Sequence, residues 1–199
     1  MGKILITGPG RSGTTFVVQM LTRLGFDTGF RPGDEHYHPN LRAGCEWMID
    51  VDLERDNAEH IAEVMKAGPR VLKSPEWGLI LKGLLTLGLI EVDHVVIPLR
   101  DIDIAAKSRV DAGLLWWIDK RLEGDELVQD QASIMALALG RAVEACMLFS
   151  VPCTLMLFPH FVKNEVYCYR KLSALGDIDR GEHTRIFKEL ANPEQIKWK

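Results

Sequence analysis

The stretch KILITGPGRSGTT, residues 3–15, constrains the fold of this chain more than any other. Its apolar beginning predicts a short buried strand, and the residues after Gly13 have the spacing of an amphipathic helix. A strand that passes through a glycine-rich turn into a helix directs several backbone N–H groups at one point, which is the geometry of a phosphate-binding loop. The loop pattern G-x-x-x-x-G-K-[ST] is matched at Gly8, Gly13 and Thr15, but Thr14 replaces its lysine.

The missing lysine changes which donor the loop is expected to hold. In nucleoside triphosphate sites that lysine reaches the β- and γ-phosphates. A donor with a single 5′-phosphate carrying a sulfuryl group has no γ-phosphate to bind. Arg11 lies on the loop and is expected to reach the oxygen that joins phosphorus to sulfur. Thr14 therefore indicates a different donor.

Short apolar runs alternate along the chain with longer helical patterns, which predicts βαβ units. We expect one α/β domain over residues 1–199, with three layers and a mainly parallel central sheet. Strands are predicted at 3–7, 70–73, 94–99 and 153–158, with a short one near Phe26. Helices are predicted at 13–24, 53–66, 76–87, 102–120, 126–149, 166–175 and 183–190. The long segment 25–48 is rich in Gly, Pro and His and is expected to carry function.

A second motif, VVIPLRDIDIAAKSR, places Arg100 at the end of a strand and Ser108 inside the following helix. A bidentate arginine together with a hydroxyl group suits a second phosphate. The alternative is a solvated charge cluster at a strand end.

Together the two motifs resemble those of the sulfotransferases that use 3′-phosphoadenosine 5′-phosphosulfate (PAPS), in particular small bacterial members. The resemblance implies a fold similar to that of the P-loop NTPases. It implies that the 5′-phosphosulfate loop is formed by Gly10, Arg11, Ser12, Gly13, Thr14 and Thr15. It also assigns Arg100 and Ser108 to the 3′-phosphate, although Ile102 replaces a common proline. A glycine-rich lid motif that many members carry near the C-terminus is not visible in this sequence.

The same resemblance suggests the remaining catalytic groups. The strand RVLK would place Lys73 near the sulfuryl group. In PGDEHYH, Glu35 lies 24 residues after Arg11, a placement similar to that of the base in bacterial carbohydrate sulfotransferases. His36 is the close competitor for this role, and Glu76 is a third candidate.

The resemblance therefore implies transfer of a sulfuryl group from PAPS, releasing adenosine 3′,5′-bisphosphate (PAP), to a hydroxyl of a carbohydrate or small metabolite. Two alternatives stay open: a kinase or NTPase with Asp101 and Thr15 on Mg²⁺, and a non-catalytic domain that binds adenosine bisphosphate. A net charge of −4 argues against a nucleic-acid partner. We expect no metal, no membrane span, reduced cysteines and a cytoplasmic location.

Overall fold

The computed structural model describes residues 2–33, 58–115 and 122–191. Four strands form one sheet: β1 (Lys3–Ile6), β2 (Val71–Lys73), β3 (Val92–Leu99) and β4 (Cys153–Leu157). Their order is β2-β1-β3-β4, and all three pairings are parallel. Within the described residues these apolar runs therefore form a parallel sheet, which agrees with the mainly parallel sheet that was predicted.

Helices connect and cover these strands. The first four are α1 (Thr14–Arg23), α2 (Ala58–Ala67), α3 (Trp77–Thr86) and α4 (Ile102–Asp111). They are followed by α5 (Gly124–Leu148), α6 (His160–Lys163), α7 (Glu165–Leu172) and α8 (Arg180–Leu190). A 3₁₀ turn at Ser173–Leu175 continues α7.

Both faces of β1, β2 and the middle of β3 are buried, as expected for parallel strands covered by helices, whereas the edge strand β4 alternates buried and exposed residues. One face packs against α1, α6, α7 and α8 through a core that includes Ile6, Met20, Val96, Phe161, Leu172 and Phe187. The other face packs against α2, α3 and α5 through Leu5, Met65, Leu72, Leu81, Val95 and Ala145. The described residues thus form an α/β arrangement with helices on both sides of the sheet.

Three local predictions differ from the structure. No strand forms near Phe26, because the chain there closes the end of α1 through the amide of Phe26, which donates to the Leu21 carbonyl at 3.0 Å. Helix α4 ends at Asp111 instead of continuing to 120, since Gly113 adopts a φ of +66° that a helix cannot contain. The short helix α6 was not predicted at all.

Helix α5 is long and apolar enough to cross a membrane if length and composition alone are considered. Core helices of soluble proteins meet the same criterion. The side chains of Met135, Ala138, Ala142 and Ala145 are buried in the two cores on that side of the sheet. One side of α5 therefore packs into the core of the described α/β arrangement.

Candidate functional site

The strand order brings the two sequence motifs to one edge of the sheet. The chain leaves β1, forms β2 on one side of it, and returns to place β3 on the other side. In parallel sheets ligands bind beyond the carboxyl ends of the strands, at the point where the strand order reverses. Here the loop after β1 and the segment that begins at Arg100 after β3 flank that point.

The loop between β1 and α1 has an unusual backbone. Gly8 and Gly13 have φ angles of +138° and +84°, and Arg11 has a φ of +67°. A left-handed conformation is costly for a residue with a side chain, and such strain concentrates at functional sites. Ser12 is fully buried and its hydroxyl donates to the Pro9 carbonyl at 2.5 Å. The Ser12 side chain therefore shapes the loop, which leaves its backbone amide as the group that could face a ligand.

Helix α1 begins at this loop without a side-chain cap. Gly13 is its N-cap residue, no side chain accepts a hydrogen bond there, and the first turn has no acidic residue. The first N–H groups of a helix normally bond to a capping side chain, to water or to an anion. Thr14 is buried and Thr15 half-buried at this end. The helix end thus has the composition expected of an anion site.

The two motifs contact each other directly. Nε of Arg11 donates to the hydroxyl oxygen of Ser108 at 3.1 Å, although the residues are 97 positions apart. Nη1 of Arg100 donates to the carbonyl oxygen of Arg11 at 3.1 Å. Burial, followed by the nearby charge of Arg11, lowers the pKa of Arg100, while Asp101 opposes this change. The predicted 5′ and 3′ groups therefore belong to one cluster.

Arg109 is the last residue of the second motif, but the sequence predicted no role for it. It lies on α4 directly after Ser108 and is only 5% exposed. Its guanidinium lies against Gly10, so closely that a Cβ atom on that glycine would collide with Nη1 of Arg109. A single arginine inside a helix has no sequence signature, and only the docking of α4 against the loop reveals its position.

Lys73 lies at the carboxyl end of β2, in register with Ile6 of β1, and is 3% exposed. The segment that follows is tied to β1, because the hydroxyl of Thr7 donates to the Pro75 carbonyl at 3.2 Å and accepts from the Gly78 amide at 3.1 Å. Lys73 is thus placed beside the loop, at the same sheet edge. Trp77, at the start of α3, is a core residue whose indole donates to the Leu72 carbonyl at 3.2 Å.

Asp101 is the N-cap residue of α4. Its carboxylate caps α4 by accepting a hydrogen bond from the Ile104 amide at 3.0 Å. Among the described residues no cluster of three or more His, Cys, Asp or Glu could hold a metal ion. Glu35 and His36 lie outside the described residues, so the base stays a prediction.

Comparisons with known proteins give no family assignment. No protein-family model matches the chain, and no curated protein matches it. The function is therefore inferred from the residues of the site itself.

Proposed function

We propose that this protein is a PAPS-dependent sulfotransferase with a P-loop NTPase-like fold that works in the cytoplasm. The supporting observation is the direct contact of Arg11 with both Ser108 and Arg100, which joins two anion-binding motifs into one site. A site with cationic groups for two separate phosphates suits a donor with a 5′-phosphosulfate and a 3′-phosphate.

In the proposed reaction, a hydroxyl oxygen of a carbohydrate or small metabolite attacks sulfur opposite the bridging oxygen. The new O–S bond forms while the S–O bond to phosphate breaks, and negative charge grows on the 5′-phosphate of PAP. The amides of the loop, Arg11 and Lys73 stabilise this charge, and fixed donors of this kind make a large contribution to catalysis. Arg100 and Ser108 hold the 3′-phosphate, and the acceptor proton passes to the base.

The donor assignment predicts that PAP binds far better than AMP, which lacks the 3′-phosphate. Losing a charge-assisted hydrogen bond costs about 1.5–3 kcal/mol, so Arg100→Ala should remove most of that preference. Calorimetric titration of both proteins with PAP, AMP and Mg-ATP measures it directly. Equal affinity of the wild type for PAP and AMP would exclude this donor. Tight Mg-ATP binding with hydrolysis would favour a kinase or NTPase.

Glu35 is predicted to be the base, and variants of Glu35 and His36 test this assignment. Glu35→Gln keeps size and hydrogen bonding but removes basicity, so turnover should fall by about 10²–10⁴ while PAP affinity is retained. His36→Asn serves as the matched variant and should have a smaller effect. Loss of turnover in His36→Asn alone would make the histidine the base. A protein that binds PAP but transfers nothing to any hydroxyl acceptor would be a non-catalytic binding domain.

A further inference from the structure

Three arginines lie at the loop between β1 and α1, and no role was predicted for one of them, Arg109. Arg11 lies on the loop, Arg100 donates to its backbone, and Arg109 approaches it from α4. A guanidinium remains protonated at any physiological pH. Arg109 is only 5% exposed, so its charge lies inside the fold, next to the loop backbone.

Gly10 shows what the contact with Arg109 requires. Gly8 and Gly13 have positive φ angles that favour glycine, but Gly10 does not. At Gly10 the obstacle to a side chain is space, because an added Cβ would collide with Nη1 of Arg109. Glycine at this position therefore makes room for a guanidinium directly against the loop backbone.

Two consecutive residues of α4 contact two consecutive residues of the loop. Ser108 accepts from Arg11, and Arg109 lies against Gly10. Helix α4 thus fixes both the side chain that leaves the loop and the backbone just before it. Arg109 thus lies on a regular helix whose first turn is capped by Asp101.

We propose that Arg109 is a positioning residue for the 5′-phosphate of the donor: its guanidinium holds the loop at Gly10 and adds positive charge next to the loop backbone. This inference rests on the proposed function. It assigns Arg109 to selectivity for the 5′-phosphate and leaves the 3′-phosphate to Arg100 and Ser108.

The test compares three ligands, PAP, adenosine 3′-monophosphate and AMP, by calorimetric titration of the full chain. Arg109→Met removes the charge and keeps most of the side-chain length. We expect the preference for PAP over adenosine 3′-monophosphate to fall about tenfold or more, as for the loss of a charge-assisted contact. The preference for PAP over AMP should stay as in the wild type. Arg109→Lys should restore part of the lost preference.

Two further variants separate this role from a purely structural one. Gly10→Ala keeps the charge of Arg109 but displaces it from the loop, and should lower the same preference even if Arg109→Met does not fold. Arg141→Met changes an exposed arginine of α5 and should alter neither preference. A uniform loss of affinity for all three ligands, or no change in any, would overturn the role of Arg109.

Failure of the proposed function has a different signature. A wild type that does not bind PAP but binds ATP would refute the sulfotransferase, and the role of Arg109 would then be decided by its effect on ATP relative to adenosine. A wild type that binds neither nucleotide would overturn both proposals.

Discussion

At the scale of single residues, Arg11 combines an unfavourable backbone conformation with a central position in the site. Its φ of +67° would suit glycine, yet an arginine stands there and donates to Ser108. A side chain in the left-handed region costs roughly 1–2 kcal/mol. The strained backbone is therefore at the loop residue that contacts both Ser108 and Arg100 of the second motif.

Because the backbone at Arg11 is strained, replacing Arg11 by glycine should change stability and activity in opposite directions. Arg11→Gly should raise the free energy of unfolding by about 1 kcal/mol, because glycine adopts this φ without strain. It should also lower kcat by about 10²–10³, the effect of removing a donor aimed at developing charge. Urea unfolding and steady-state kinetics measure the two effects. Arg11→Lys should keep part of the turnover, whereas unchanged turnover in Arg11→Gly would leave Arg11 without a catalytic role.

At the scale of secondary-structure elements, α4 depends on Asp101 for its first turn. Replacing a capping carboxylate by alanine costs about 0.5–2 kcal/mol, while asparagine caps nearly as well. Asp101→Ala should therefore lower the free energy of unfolding by about 1 kcal/mol, and Asp101→Asn by much less. Denaturant unfolding of both variants tests this. If Asp101→Asn instead abolished a Mg²⁺-dependent activity, the carboxylate would be a metal ligand of a kinase or NTPase.

The four observed strands could be predicted to within two residues because their apolar residues stand between polar or glycine-rich turns, but the strand predicted near Phe26 does not form. Helix ends were harder, since the pattern after Asp111 continues to look helical and Gly113 alone does not reveal its positive φ. The contact between Arg11 and Ser108 could not be predicted, because the two motifs do not reveal that β1 and β3 are neighbours in the sheet. Arg109 could not be found, because its role depends on how α4 is docked and not on any local pattern.

At the scale of the whole molecule, stability is expected to fall on mild acidification. Nε2 of the buried His94 lies 2.7 Å from the hydroxyl oxygen of Thr154, and burial lowers the pKa of His94. Burial also lowers the pKa of His183, more than its contact with Glu165 raises it. Both histidines are more easily protonated in the unfolded chain, where the pKa is about 6.5. Their contribution is therefore present above about pH 6.5 and is lost as the pH falls from there through the folded pKa values.

Urea unfolding at pH 7.5 and 5.5 measures this effect. In the wild type the midpoint should move to lower urea at pH 5.5. His94→Gln cannot titrate but keeps a polar group that can bond to Thr154, so its midpoint should move less. His160→Asn, at an exposed position, should behave as the wild type does. An equal decline in all three proteins would mean that groups other than His94 cause the acid sensitivity.

The strand order also determines when during synthesis the site is formed. Arg11 and Ser108 are 97 residues apart, and they meet only after β3 has docked beside β1. At ribosomal rates of about 5–20 residues per second, the loop emerges roughly 5–20 s before its partner helix. A nascent chain that ends before β3 therefore has the loop but neither Arg100 nor Arg109 to hold it. If the proposed donor binds at this site, it can stabilise only chains in which β3 already lies beside β1.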